Sequence, residues 1–168
     1  MANALTVAAA KFVRDLLTYN EQLIRIGRED FTREQMETAY IVVDDVGPAT
    51  RISSGEEYDG TAESMELSVV WRGALTLDFF GDGAYARAAT FVAKMRSQAA
   101  LDLRRSLAFN IYEAGTITDV KALVGQQYGE RVQIACTAEL TTAANIDTLR
   151  IDTAQIEIRN EQGVQYVG

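Results

Sequence analysis

The stretch LTLDFFGDGAYARAATFVAKM, Leu75 to Met95, changes its apolar period in the middle. Before Gly81 apolar residues alternate at Leu75, Leu77 and Phe79; after Gly83 they recur at helical spacing at Tyr85, Ala88, Ala89, Val92 and Met95. A strand therefore runs into a helix through a Gly81-Asp82-Gly83 corner. Asp82 is the expected N-cap, because its carboxylate can accept free N–H groups of the first turn, and the helix is expected to begin at Asp82 or Gly83. The corner has no lysine and no longer glycine loop, so it reads as a turn and cap, not as a phosphate cradle.

Upstream the alternation persists. Met65, Leu67, Val69, Trp71, Leu75, Leu77 and Phe79 fall on odd positions, and Glu66, Ser68, Arg72, Thr76 and Asp78 on even ones. A strand from Met65 to Phe79 would span ~50 Å at ~3.4 Å per residue, far beyond the usual ~5–6 residues. Its odd side chains are expected to face inward, with a bend at Gly73. A strand of this length suits projection beyond one small core.

The rest of the chain supplies partners for that strand. Leu5 to Tyr19 reads as an amphipathic helix with Asn20 as its stop. QLIRIGRE suggests a short extended piece, DFTREQME a polar loop, and TAYIVVDDVG a strand ended by Gly47-Pro48. ATRISSGEEYDG begins as a weak strand, and Ser53 to Ala62 is expected to be an exposed acidic loop. Ser97 is expected to cap a further helix holding Ala100, Leu103 and Leu107. Arg104-Arg105 reads as part of its solvated face. FNIYEAG and RVQIACTAEL read as strands, separated by the turn and loop of TDVKALVGQQYGER. TLRIDTAQIEIR is the last strand, with a phase slip near Thr153 that implies a bulge; a short polar tail, 160–168, is expected to fray or touch a neighbour. Segregated runs of helices and strands give an α+β fold: a mostly antiparallel sheet with helices on one face, including one long bent strand, in a single domain over 1–168.

Composition excludes more chemistry than it suggests. The 168 residues contain no histidine, so Ser-His-Asp and Cys-His catalysis within the chain is excluded, as are the usual zinc sites. The single cysteine, Cys136, forms no internal disulfide, and it alternates with Ile134 and Ala138, which points it into a core. A net charge of −8 disfavours non-specific DNA binding and adhesion to anionic membranes. The N-terminal segment lacks a basic head, so no signal peptide is expected, and synthesis in a host cytoplasm is. Asp44 and Asp45, adjacent on a strand, point to opposite faces and make a poor dyad. Glu56, Glu57 and Asp59 offer oxygen ligands to a divalent cation, but their spacing does not match an EF-hand, and a solvated loop is the simpler reading. Trp71 reads as core or interface. No catalytic, cofactor-binding or metal-binding residue is assigned, and no cofactor is expected.

The long strand, the aromatic-Gly-acidic corner and the alanine-rich helix resemble the phage neck or tail terminator family. YIVVDDVGP is similar to that family's earlier strand, and Tyr128-Gly129-Glu130-Arg131 to its late Tyr-x-Glu-Arg segment. Val132 stands where an alanine is common, and Gly129 where an acidic residue is. The resemblance spans roughly Thr38 to Arg159. It implies a virion structural protein forming a ring, usually hexameric, at the head–tail junction. Such a ring caps the tail tube, meets the head-side connector and lets DNA through its lumen; a contractile tail would add a sheath partner. Candidate partner contacts are Glu56, Glu57, Tyr58, Asp59, Glu130 and Arg131. The alternatives are another assembly protein of the same class, such as a tail-tube or head-completion protein, and an enzyme using acidic residues with a divalent metal.

Overall fold

The computed structural model describes residues 4–27, 39–120, 122–124, 127–147, 157–160 and 163–166. Helix α1 spans Ala4–Leu17, and a single 3-10 turn, Glu21–Leu23, follows. Strands β1 (Ile24–Ile26), β2 (Tyr40–Asp45), β3 (Thr50–Asp59) and β4 (Ser64–Phe80) come next. Helices α2 (Ala84–Lys94) and α3 (Gln98–Ser106) lead to β5 (Phe109–Asp119) and the short β6 (Ala122–Val124) and β7 (Gln127–Gly129). The long β8 (Arg131–Asp147) and two short strands, β9 (Glu157–Asn160) and β10 (Gly163–Tyr166), complete the described elements.

Six strands form one sheet built on β4 and β8, which pair antiparallel along all of β4, from Ser64↔Asp147 to Phe80↔Arg131. On the other edge of β4 two strands sit end to end: β2 pairs Leu75–Phe80 and β3 pairs Ser64–Arg72. Strand β1 adds to β2 in parallel, and β5 adds to the first half of β8. The sheet thus has two halves. In one, odd residues of β4 (Leu75, Leu77, Phe79), even residues of β8 (Val132, Ile134, Cys136) and Ile41 and Val43 of β2 are buried with all three helices in one core. Phe12 of α1 meets Phe109 at 5.7 Å, and Phe91 of α2 meets Phe79 at 6.2 Å, so both helices pack on the same face. The other half is a three-stranded arm of β3, Ser64–Arg72 and Thr141–Asp147, at ~3.4 Å per residue roughly 30 Å long.

The α+β architecture and the strand-corner-helix order match the sequence reading, with four corrections. The segment Ser53–Asp59 is strand, not loop: pairing with β4 satisfies its backbone although every side chain from Thr50 to Asp59 is exposed. Helix α2 begins at Ala84, and Gly83, not Asp82, holds the N-cap position. The inward alternation of β4 holds only from Gly73 onward, because Met65 to Trp71 remain partly exposed on the arm. Gly163–Tyr166, expected to fray, pairs antiparallel with Glu157–Asn160. Boundaries also shift: β5 continues to Asp119, β8 to Asp147, and Ala122–Val124 pairs with Gln127–Gly129. Asn20 caps the 3-10 turn by accepting from Gln22 N at 3.0 Å. The DFTREQME segment and the phase slip at Thr153 lie outside the described residues.

Gly73 has a packing reason. A Cβ there would lie 2.6 Å from Cδ2 of the buried Leu5, so the missing side chain makes room for the start of α1.

Candidate assembly surfaces

Three regions hold the residues singled out by the sequence. The first is the corner. Gly81 (φ 81°) and Gly83 (φ 73°) take the left-handed conformation that other residues adopt only at a cost. Arg87, one turn into α2, folds back over them. Its Nη1 donates to Asp82 O at 2.6 Å and its Nη2 to Phe80 O at 2.6 Å and Gly81 O at 3.1 Å. Glu130, far away in sequence, closes the corner from the position just before β8. Its backbone carbonyl accepts from Gly81 N at 3.0 Å, and its Oε2 accepts from Ala84 N at 3.1 Å. A carboxylate at a helix N-terminus satisfies an orphan donor and complements the helix dipole. The reading of Asp82 as cap thus had the right chemistry on the wrong residue.

The second region is the sheet face opposite the helices. Asp78, with a side chain only 7% exposed, accepts from Arg131 Nε at 3.1 Å and from Gln133 Nε2 at 3.2 Å. The Arg131 guanidinium also lies over Phe80 at 5.2 Å, and Phe80 stacks on Tyr40 at 4.5 Å. Burial raises the Tyr40 pKa, as does the charge of Asp78, whereas Arg131 opposes the rise. Further along, Glu139 accepts from Arg72 Nε at 2.7 Å and from the Tyr112 hydroxyl, and Arg72 lies 5.8 Å over the Tyr112 ring. Burial tends to raise the Glu139 pKa; the bonds from Tyr112 and Arg72 and the Arg72 charge outweigh it, so the carboxyl titrates below its usual range. Sequence reasoning singled out Arg131 but neither Asp78 nor Glu139 as an ion-pair centre. The available signal was an acid on the polar phase of a central strand, facing an arginine on the neighbouring one.

The third region is the arm. Alternation puts Met65, Leu67, Val69 and Trp71 on the face that continues the core, and the register adds Ile146 and Tyr58. Away from its root this face is open: Tyr58 is 50% and Ile146 46% exposed. At the root of the arm, Trp71, Leu140 and Thr142 line a half-open pocket of about 200 Å³ with Ala4, Leu5 and Ala49. The Trp71 indole N–H donates to Thr142 Oγ1 at 3.1 Å. Among the described residues the outer backbone edge of β3 is unpaired. Arg51, Glu56 and Glu57 guard it, together with the register shift between Arg51 and Ser53, devices that oppose indiscriminate strand addition.

The acidic group does not gather. Glu57 and Asp59 lie on one face of β3 and Glu56 and Tyr58 on the other. Asp59 instead shapes the turn to β4: its Oδ1 accepts from Thr61 N at 2.8 Å and Ala62 N at 3.2 Å, bonds that lower its pKa. Among the described residues no three His, Cys, Asp or Glu side chains come close enough together to hold a metal ion. Cys136 is buried, and burial pushes its thiol pKa up to about 12. Among the described residues no helix is long and apolar enough to cross a membrane. The family model described as phage neck terminator protein matches residues 3–163. No curated protein matches the chain.

Proposed function

Because the chain belongs to the phage neck terminator protein family, a structural family of the head–tail junction, we propose that it forms a ring, a hexamer, that caps the tail tube. The ring joins the tube to the head-side connector, and DNA passes through its lumen. A sheath protein is a further partner if the tail is contractile. The protein is a structural part of the virion and has no catalytic role.

The observation that carries this reading is the arm. Half of each central strand, Ser64–Arg72 of β4 and Thr141–Asp147 of β8, is spent outside the chain's own core. Two 17-residue strands exceed what a domain of this size needs for burial. A ring requires a head-to-tail interface, in which one surface of each copy meets a different surface of the next. An arm on one side and a rigid helix-covered half on the other supply two such surfaces. Glu56, Glu57 and Tyr58 are exposed contact residues on the arm. Glu130 and Arg131 contribute beside the corner, where Glu130 also bonds to the first N–H of α2 and Arg131 to Asp78 of β4. The charge of −8 suits a lumen through which DNA slides, since no cluster of released counterions would hold it there.

Incubation of the purified chain with tail tubes, followed by electron microscopy, tests the reading. One ring on one end of each tube is the expected result. Long tubes built from the chain alone would overturn it and identify a tail-tube protein instead.

A further inference from the structure

Two backbone edges of the arm are left without a strand. Among the described residues the outer side of β3 has no partner, and the outer side of β8 has none beyond Leu140, where the pairing with β5 stops. The last backbone bond on that side runs from Thr141 N to Ala108 O at 2.9 Å. The two edges lie on opposite sides of β4 and at one level, because β4 pairs with both: Ser54↔Val69↔Thr142 near the root and Asp59↔Ser64↔Asp147 at the tip. Residues 54–59 and 142–147 thus present two runs of matched length, neither broken by a register shift. The other edges of the sheet are poorer, since β1 has three residues and β5 carries two register shifts. Tyr58 and Ile146, both exposed, stand on the two arm edges at the same level, each opposite Met65.

We propose that the arms of neighbouring copies pair edge to edge, the outer side of β3 in one copy with the outer side of β8 in the next, level and parallel. The inference deepens the ring reading and rests on it. Both strands run antiparallel to β4, so copies in the same orientation bring them together parallel. Level pairing sets Tyr58 of one copy beside Ile146 of the next, so that each covers the other. The acids of β3 then meet neutral side chains, Glu56 beside Ala144 and, on the opposite face, Glu57 beside Asn145. Asp59 and Asp147 meet at the tip, where Asp59 is already held by Thr61 N and Ala62 N. Two β3 edges would instead bring together Glu56 and Glu57 of both copies, like charges that destabilise a ladder. Two β8 edges would leave β3 and Tyr58 open. Either self-pairing is two-fold and stops at a dimer, whereas β3 to β8 is heterologous and continues around a ring. The charges on β3 deter other strands, and the main-chain bonds supply affinity.

Disulfide trapping tests it. Level residues on adjacent strands lie about 4.8 Å apart, within the span a disulfide bridges, whereas Tyr58 and Ile146 of one chain are two strands, about 10 Å, apart and beyond it. A disulfide in the chain carrying Tyr58→Cys/Ile146→Cys therefore joins two copies. The native Cys136 is buried and does not compete. Oxidised with tail tubes present, the doubly substituted chain is expected to run as a ladder of covalent multimers on a non-reducing gel. An equimolar mixture of the two singly substituted chains should give a covalent dimer and nothing larger. Glu56→Cys/Ala144→Cys repeats the test further along the arm and checks the register. Tyr58→Ser/Ile146→Ser should weaken self-association about tenfold in sedimentation velocity without lowering the melting temperature. Circular dichroism melting shows that each variant is folded. Covalent dimers from either single substitution alone, with no ladder from the double, would reveal self-pairing of one edge and overturn the proposal. Self-association with no cross-link from either pair would overturn the edge pairing while the ring reading stood. A wild-type chain that self-associates neither alone nor on tail tubes would overturn both.

Discussion

Replacing Glu139 with glutamine removes one charge and almost no volume, at a site where the consequence can be worked out. The Glu139 side chain is 10% exposed, whereas its partners Arg72 and Tyr112 are 51% and 56% exposed. The desolvation cost of the ionised group therefore falls on Glu139, and the bonds from Arg72 at 2.7 Å and from the Tyr112 hydroxyl offset it. A hydrogen bond to a charged group contributes about 1.5–3 kcal/mol and a neutral one about 0.5–1.5 kcal/mol. Two partners downgraded from charged to neutral, both with access to water, give a loss of about 1–2 kcal/mol. For a chain of this size that corresponds to about 3–6 °C in Tm. The pH dependence has a definite sign. The folded pKa of Glu139 lies below its unfolded value, so its stabilisation is complete above the unfolded pKa, about 4.3, and fades as pH falls through the folded value. Wild type and Glu139→Gln should thus differ fully at about pH 7 and converge on acidification. Urea unfolding followed by Trp71 emission measures this next to the site, because Trp71 and Leu140 pair directly beside Arg72 and Glu139. Equal midpoints near neutrality, or a gap that persists unchanged into acid, would refute the reasoning. A cycle with Tyr112→Phe should show coupling of about 1 kcal/mol.

Gly73→Ala should cost about 1–3 kcal/mol by driving a methyl group into Leu5, and Leu5→Ala in the same chain should relieve part of that strain; both are read from urea midpoints. Arg87→Ala removes donors from three corner carbonyls and should cost about 2–3 kcal/mol in thermal melts, whereas Arg87→Lys should recover only part of it because a lysine cannot fork across them. Cys136, with its thiol pKa pushed up to about 12 by burial, stays neutral near pH ~7, so a thiol reagent should label it only at the rate of unfolding, as a time course at rising urea would show.

What the sequence disclosed followed period and burial. Helix α1, the core half of β4 and the Cys136 strand are covered on one side, so their side chains alternate between core and solvent and the period is legible. Strand β3 is exposed along its whole length; with no buried face it has no period to detect, and it is a strand because β4 offers it a ladder. The arm follows from the same cause: the odd apolar residues Met65 to Trp71 looked like core, and only the position of the helices shows that the core ends at Gly73. The corner glycines were legible from composition, but the cap on α2 was not. Glu130 reaches Ala84 across the sheet, and local sequence points to Asp82 instead. Of the anticipated contact residues, Glu56, Glu57 and Tyr58 lie exposed on the arm, Asp59 shapes its turn, and Glu130 and Arg131 bond within the fold.

The role of the chain in joining head to tail is tested most directly in the particle. Deletion of its reading frame from the phage genome, followed by electron microscopy of lysates, should leave filled heads and separate tails of irregular length that never join, with joining restored when the chain is supplied in trans. Intact, infectious particles from the deleted genome would contradict the account.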